Sequence, residues 1–262
     1  MAAKARILCY DLETPPYQAW VWGCGEQYVR HNQLVKEHDQ PGIICVTYCW
    51  MDENKPAQCI DWGYEEQDSS RVVEEFDKII RTADFTIGKN SDRFDTKVLN
   101  AVRMLNGLPG FPEWMGYKDD LEKQMRKYFK LPSQSLDYIS GQLGLGGKIK
   151  MEFQDWIDIV EKNENGRKAL AKMIKYGKKD CTDTRTLWNR LSEHFDSKWN
   201  QAKFQGDSLA CKHMDCGSSN LTNRGSPRLV GATMYQEWRC LDCHRYAGRT
   251  TISKNGKYGV IK

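Results

Sequence analysis

The chain has 262 residues, enough for one sizeable domain and a smaller one. Its 40% hydrophobic and 28% charged content is typical of a globular protein, and its apolar runs are too short for a membrane-spanning helix. The formal net charge of +4 is unevenly spread, because residues 203–262 carry ten basic and four acidic side chains. This basic tail indicates attraction to a polyanion, although a solvated basic surface would have the same composition.

The first half of the chain alternates between short apolar runs and amphipathic segments. The apolar runs predict strands at residues 5–10, 42–51, 57–62 and 83–88. Apolar residues at helical spacing predict helices at residues 71–81 and 94–105. Three strands, a helix, a strand and a helix, in this order, predict an α/β layer architecture.

The second half is predicted to be mostly helical, at residues 119–129, 135–143, 153–160 and 167–194, with Ser133 or Ser135 as the cap of the second helix. Glycines 144, 146 and 147 form a loop that carries Lys148 and Lys150. These lysines could contact a phosphate backbone, but a solvated loop is the alternative. Short polar stretches follow, so we place a domain boundary at residues 197–206, between domains 1–200 and 207–262.

Four carboxylates stand out, three of them where predicted elements begin or end and the fourth within the last predicted helix. Asp11 and Glu13 follow the first strand two residues apart, so both side chains point to one face of the sheet. Asp95 begins the helix after the fourth strand, and Asp180 lies one helical turn after Tyr176. Hard divalent cations bind clustered carboxylates, and a pair of such ions promotes phosphoryl displacement. Each acid alone is more often a turn, cap or surface residue, so only the ordered set predicts a metal site.

The acidic residues belong to three short motifs. These are Asp-x-Glu at Asp11 and Glu13, Asn-x-x-x-Phe-Asp at Asn90, Phe94 and Asp95, and Tyr-x-x-x-Asp at Tyr176 and Asp180. Their order over residues 6–191 resembles the DEDD superfamily of 3′–5′ exonucleases, which includes the proofreading domains of DNA polymerases. The tyrosine in the third motif resembles the tyrosine subclass, since the histidine subclass would have His at Lys175. The segment between the second and third motifs, residues 119–150, is also similar to phage and bacterial members of this superfamily.

The resemblance implies a ribonuclease-H-like fold, a mixed five-stranded sheet flanked by helices. It also implies that two Mg²⁺ or Mn²⁺ ions are held by Asp11, Glu13, Asp95 and Asp180, and that Tyr176 orients the attacking water. Asn90 and Phe94 would contact the terminal nucleotide, although Phe94 could equally be an ordinary core aromatic.

Two tryptophans follow the first motif closely. Trp20 and Trp22 could stack on nucleic-acid bases. We expect them instead to pack within a strand, which is the more common position for such side chains.

The ten cysteines could indicate a secreted disulfide framework, but their placement does not. Several lie in apolar, strand-like runs, where free thiols behave as small hydrophobic groups: Cys9, Cys45, Cys49 and Cys59. We find no signal-peptide pattern and expect a cytoplasmic protein, and in a reducing compartment paired cysteines indicate metal more often than disulfides.

The tail contains two close pairs of cysteines, Cys211 with Cys216 and Cys240 with Cys243. Four thiolates satisfy the tetrahedral preference of a structural Zn²⁺, whose binding would help to fold a domain of about 60 residues with little core. The pattern resembles a zinc ribbon. The first pair has four intervening residues where ribbons usually have two, so His213 or His244 could replace one cysteine.

The acidic motifs and the resemblance together imply a metal-dependent 3′–5′ exonuclease, with DNA favoured as substrate, that releases 5′-mononucleotides from single-stranded 3′ ends. The resemblance suggests that the protein acts in the cytoplasm of a bacterial or phage-infected host cell. A polymerase or another replication or repair protein is the expected protein partner, and we expect no membrane association. The alternatives are an exoribonuclease and a non-catalytic adaptor that binds nucleic acid through the ribbon. The ribbon itself could bind nucleic acid or a protein.

Overall fold

A computed structural model describes residues 5–36, 39–110, 118–147, 149–196, 199–206, 209–213, 216–253 and 255–259. By their internal contacts these residues divide into a first unit, Arg6–Phe195, and a second unit that consists of the residues from Asp196 onward together with Ala5. Lys148, predicted to contact phosphate, lies outside the described residues.

The first unit is built on a mixed sheet of five strands. In chain order they are β1 (Ile7–Glu13), β2 (Cys45–Trp50), β3 (Gln58–Asp61), β4 (Phe85–Gly88) and β5 (Lys118–Asp120). Their spatial order is β3-β2-β1-β4-β5. Strand β1 pairs antiparallel with β2 and parallel with β4, and it therefore lies at the centre of the sheet.

Six helices of at least seven residues belong to this unit. They are α1 (Ser69–Ile80), α2 (Asp95–Leu105), α3 (Leu121–Tyr128), α4 (Leu136–Gln142), α5 (Phe153–Val160) and α6 (Gly166–Leu191). Helix α1 contacts α2 and the strands β2 and β3, and α6 contacts β1, β2 and β3. This five-stranded mixed sheet flanked by helices is consistent with a ribonuclease-H-like fold.

The two faces of β1 contact different helices. On one face the Tyr10 ring packs 5.4 Å from the ring of Phe76 in α1. On the other face the Cys9 thiol donates a hydrogen bond to the carbonyl of Cys181 in α6, at 3.6 Å. Because strand side chains alternate, Asp11 and Glu13 share the Cys9 face and lie on the side of α6.

Helix α6 approaches β2 closely because Gly177 has no side chain. The Thr47 hydroxyl donates to the Gly177 carbonyl at 3.0 Å. A Cβ atom at Gly177 would lie 2.9 Å from Thr47 Cγ2, which is closer than real Cβ contacts. The glycine therefore permits the packing that holds the third motif against the sheet.

Most predicted elements agree with the structure to within a few residues. The cap of α4 is Ser135, whose hydroxyl accepts the Tyr138 N–H at 3.2 Å. The prediction of a helix from residue 119 is wrong at its start, because Asp119 and Asp120 belong to strand β5. Their backbones pair with β4, and Asp120 then caps α3 by accepting backbone N–H groups of Glu122 and Lys123.

The expectation that Trp20 and Trp22 pack within a strand is also wrong. Their exposed fractions are 79% and 103%. The segment forms only a short antiparallel bridge between Ala19 and Leu34, with the Trp20 N–H donating to Gln33 O at 2.8 Å. It therefore projects as a loop that begins soon after Glu13.

The second unit contains a short helix and a small sheet: α7 (Gln201–Gln205), β6 (Leu221–Asn223), β7 (Arg228–Val230), β8 (Thr233–Cys240) and β9 (Tyr246–Thr251). Strand β8 pairs antiparallel with the other three. Helix α7 lies within the predicted boundary at residues 197–206. Among the described residues of this unit, the buried core cluster is small and consists of Ala202, Ala210, Cys211, Trp238, Cys240 and Ala247.

Among the helices in the described ranges, none combines the length and the apolar character that crossing a bilayer requires.

Candidate active site and cysteine cluster

Three elements bring the four predicted carboxylates towards one another. Asp11 and Glu13 come from β1, Asp95 from the first turn of α2 and Asp180 from the middle of α6. Asp95 Oδ1 accepts the backbone N–H of Leu12 at 3.0 Å, which ties the start of α2 to the strand between its two acids. The charges of Asp95, Glu13 and Asp180 all act on Asp11, so the set forms one electrostatic site.

Crowded negative charge makes ionisation of these acids unfavourable. Burial raises the pKa of Asp11 well above its ordinary value, and the carboxylates of Asp95, Glu13 and Asp180 raise it further. Burial also raises the pKa of Asp95 to about 7, although it accepts the Leu12 N–H. Buried carboxylates that repel one another are stabilised by a nearby cation. The donor chemistry therefore fits a hard divalent metal.

The acidic set is more open than a closed ligand cage. In the part of the chain that the structure describes, two groups of three or more potential metal ligands have all their donor atoms within 4.8 Å of one another. Both groups consist of cysteines, and the four carboxylates do not form a group this tight. Carboxylate oxygens repel at short range, and hard cations accept water and phosphate oxygens as further ligands. The geometry is thus compatible with an open site but is not a preformed cage.

Tyr176 is half-buried and forms a hydrogen bond with the Asp180 side chain. Burial raises the pKa of its phenol, and the charges of Asp180, Glu13 and Asp11 raise it further. The phenol therefore stays protonated at neutral pH and can donate a hydrogen bond, but it cannot act as a strong base.

The loop between β4 and α2 carries the second motif. Asn90 adopts a left-handed backbone conformation, with φ of 61°. Asp120 Oδ1 accepts the Asn90 N–H at 2.9 Å, and its Oδ2 accepts the Asp92 N–H at 3.2 Å. Phe94 is 43% exposed, so the alternative that it is a core aromatic is wrong.

Sequence reasoning missed two residues that shape this site. Asp120 falls in the first turn of the helix predicted from residue 119, and nothing in that pattern indicates its contacts with the second-motif loop. Lys89 forms an ion pair with Glu122 at 2.9 Å, and its positive charge partly offsets the burial that raises the pKa of Asp11 and Asp95. In the sequence, the only indication that Lys89 belongs to the site is its position directly before Asn90. Lys150 is exposed, as a phosphate-contacting residue would be.

In the second unit the four tail cysteines form one cluster, which could hold a zinc ion. Their sulfur atoms all lie within 4.8 Å of one another. The Sγ atoms of Cys211 and Cys243 are 3.7 Å apart, as are those of Cys216 and Cys240. Tetrahedral zinc with Zn–S bonds of about 2.3 Å requires sulfur separations of about 3.8 Å.

Backbone amides support the same cluster. The N–H groups of His213, Ser218 and Arg245 donate to the sulfur of the cysteine two residues earlier in the chain. Such hydrogen bonds stabilise thiolates that bind a metal. His213 Nε2 contacts the Tyr246 carbonyl at 2.9 Å, and neither His213 nor His244 belongs to the cluster. The geometry therefore favours four cysteines over a histidine replacement.

Comparison with known proteins gives a fold likeness alone. No protein-family model matches the chain, and no curated protein matches it either. Among solved structures the chain is similar to the family B DNA polymerase from the hyperthermophilic archaeon Pyrobaculum calidifontis, with 15% identity and a TM-score of 0.54. The likeness covers 73% of this chain but only 25% of the polymerase.

Proposed function

We propose that the protein is a metal-dependent 3′–5′ exonuclease of the DEDD type, tyrosine subclass, with a zinc ribbon at its C-terminal end. The proposal is supported by the charges of Glu13, Asp95 and Asp180, which come from β1, α2 and α6 and all act on Asp11, and by the Asp95 carboxylate, which accepts the Leu12 N–H between the two acids of β1. The fold likeness to part of a DNA polymerase supports it, because the motifs resemble a superfamily that includes polymerase proofreading domains.

The four carboxylates would hold two Mg²⁺ or Mn²⁺ ions, which supply activation of a water molecule and neutralisation of the leaving oxygen. Tyr176 would orient the attacking water beside Asp180 through a hydrogen bond at its phenol oxygen. Asn90 and the exposed Phe94 would contact the terminal nucleotide, on a loop that Asp120 holds in place. The exposed Lys150 would contact the phosphate backbone.

Replacing Tyr176 with Phe is expected to lower kcat by about 10- to 100-fold, the usual effect of losing a partner that orients a reacting group. KM should change little, because the phenol positions water rather than substrate. Steady-state cleavage of a 3′-labelled single strand measures both. An unchanged kcat would remove Tyr176 from the mechanism.

The exposed loop after Glu13 provides a surface for unpaired bases. Trp20, Trp22 and Tyr28 are exposed by 79%, 103% and 88%, and each ring can stack on any base. Because the loop leaves β1 directly after the first motif, a strand end held at the carboxylates would pass near it. We therefore include base stacking by this loop in the proposed function.

Replacing Trp22 with Ala is expected to weaken binding of single-stranded DNA roughly 5- to 150-fold, which corresponds to the ~1–3 kcal/mol of one stacked base. Fluorescence anisotropy with EDTA present measures binding without cleavage. Phe153→Ala is the matched control, since Phe153 is 67% exposed on α5. An abasic oligonucleotide should bind the Trp22 variant and the unchanged protein equally, and a difference there would argue against stacking.

DNA is the favoured substrate because of the likeness to a DNA polymerase, and RNA is the alternative. Parallel digestion of labelled DNA and RNA of one sequence decides between them. Strong binding without metal-dependent cleavage of either would favour a non-catalytic adaptor.

The basic second unit would add affinity for nucleic acid through Arg224, Arg239 and Arg249, or would dock a polymerase or another replication or repair protein.

A further inference from the structure

A second group of cysteines lies inside the first unit, apart from the tail cluster. Cys9 on β1, Cys49 on β2 and Cys181 on α6 have all three sulfur atoms within 4.8 Å of one another. Cys9 and Cys49 are direct cross-strand partners, and the Sγ atoms of Cys49 and Cys181 are 3.4 Å apart. Their exposed fractions are at most 4%. We propose that this trio is a buried site for a soft, thiol-seeking divalent cation such as Zn²⁺ or Cd²⁺.

The spacing of the sulfur atoms is close to that of a three-coordinate thiolate site. With metal–sulfur bonds of about 2.3 Å, a trigonal arrangement needs sulfur separations of about 4.0 Å. The 3.4 Å pair must therefore open by about 0.6 Å, which small side-chain rotations can provide. The thiols now donate to main-chain carbonyls, Cys9 to Cys181 O at 3.6 Å and Cys181 to Cys9 O at 3.5 Å. These weak contacts are readily exchanged for metal bonds.

The chemistry of the donors selects the class of cation. Thiolates prefer zinc, cadmium and monovalent copper to magnesium or calcium. On binding a divalent ion, three S–H bonds break, three metal–sulfur bonds form and three protons pass to solvent. The product carries one negative charge. The guanidinium of Arg185, one turn after Cys181 on α6, donates to the Trp50 carbonyl at 3.3 Å, and its positive charge acts on Cys49. It supplies the compensating positive charge.

The placement of the trio gives the ion a structural role. Cys9 precedes Asp11 by two residues on β1, and Cys181 directly follows Asp180 on α6. A metal bound to both would fix the helix to the strand next to the carboxylates. Metal binding by the trio does not depend on the reaction that the carboxylates carry out.

The test uses the full chain, unfolded with a chelator and refolded with stoichiometric Cd²⁺ in excess Mg²⁺, so that the carboxylates are supplied with the hard ion they prefer and the cadmium count reports thiolates. Sulfur-to-cadmium charge-transfer absorption counts bound thiolates and is silent for carboxylates. We expect the intensity of seven thiolates, four from the tail and three from the trio, and two cadmium ions per chain. Cys49→Ser and Cys181→Ala should each lose one cadmium ion while keeping the tail signal.

Cys59→Ser is the matched control, because Cys59 is a strand cysteine outside both clusters and its loss should leave two ions bound. Thermal unfolding without metal shows whether each variant folds. In the unchanged protein Cd²⁺ should raise the unfolding temperature of the first unit, and in the Cys181 variant it should not. One cadmium ion per unchanged chain, or two in both trio variants, would overturn the proposal.

Discussion

Asp11→Ala and Asp180→Ala should each lower 3′–5′ cleavage by about 10³-fold or more. Loss of a residue that only supports a metal ligand typically costs about 10- to 100-fold, and a direct ligand is expected to cost more. Both carboxylates belong to the same electrostatic site, so neither can replace the other. The assay is release of mononucleotides from 3′-labelled single strands with Mg²⁺ or Mn²⁺, with EDTA as the metal-free control.

The same substitutions distinguish a catalytic role from a structural one. The folded-state pKa of Asp11 is raised, so at neutral pH its ionised form is less favourable in the folded protein than in the unfolded chain. Asp11→Ala should therefore leave the unfolding temperature unchanged or raise it in metal-free buffer.

The matched control for these variants is Asp183→Asn. Asp183 is also buried on α6, but it pairs with Lys179 at 2.8 Å and lies outside the three motifs. This variant should keep most of the activity. Full activity in Asp11→Ala or Asp180→Ala would refute the assignment of the site.

Removing zinc from the tail cluster should unfold the second unit. Binding to four thiolates contributes about 10–16 kcal/mol in small zinc domains, and the core here is a handful of small residues around Trp238. Cys240→Ser should therefore lower the zinc content by one ion per chain and abolish the dispersed amide signals of β8 and β9. The first unit should keep its own unfolding transition.

Cys24→Ser serves as the control for the tail experiment, since Cys24 is an exposed free cysteine outside both clusters. It should retain the zinc content and the tail signals of the unchanged protein. A tail that stays folded after prolonged dialysis against EDTA would show that the four cysteines do not depend on a metal.

The strand and the helix that carry the first and third motifs were predictable, because their hydrophobic patterns along the sequence are clear. The apolar run that ends in Asp11 and Glu13 forms β1, and the long helical pattern around Tyr176 forms α6. Edge strand β5 was not predictable, because it has only three residues and its pairing partner, β4, is distant in the chain. Asp120 consequently appeared to be a helix residue, although its carboxylate holds the second-motif loop.

The amino-acid sequence alone determined the order of the motifs, the residue types of the acidic set and the pairing pattern of the tail cysteines. Tertiary structure decided which side chains meet. The sulfur atoms of Cys9, Cys49 and Cys181 come together only because β2 aligns Cys49 with Cys9 and α6 covers both. Gly177 allows that close approach. Trp20 and Trp22 are exposed because none of the described elements packs over them, which is also a property of the tertiary structure. Pairing and packing join residues far apart in the chain, and periodicity carries no information about such distances.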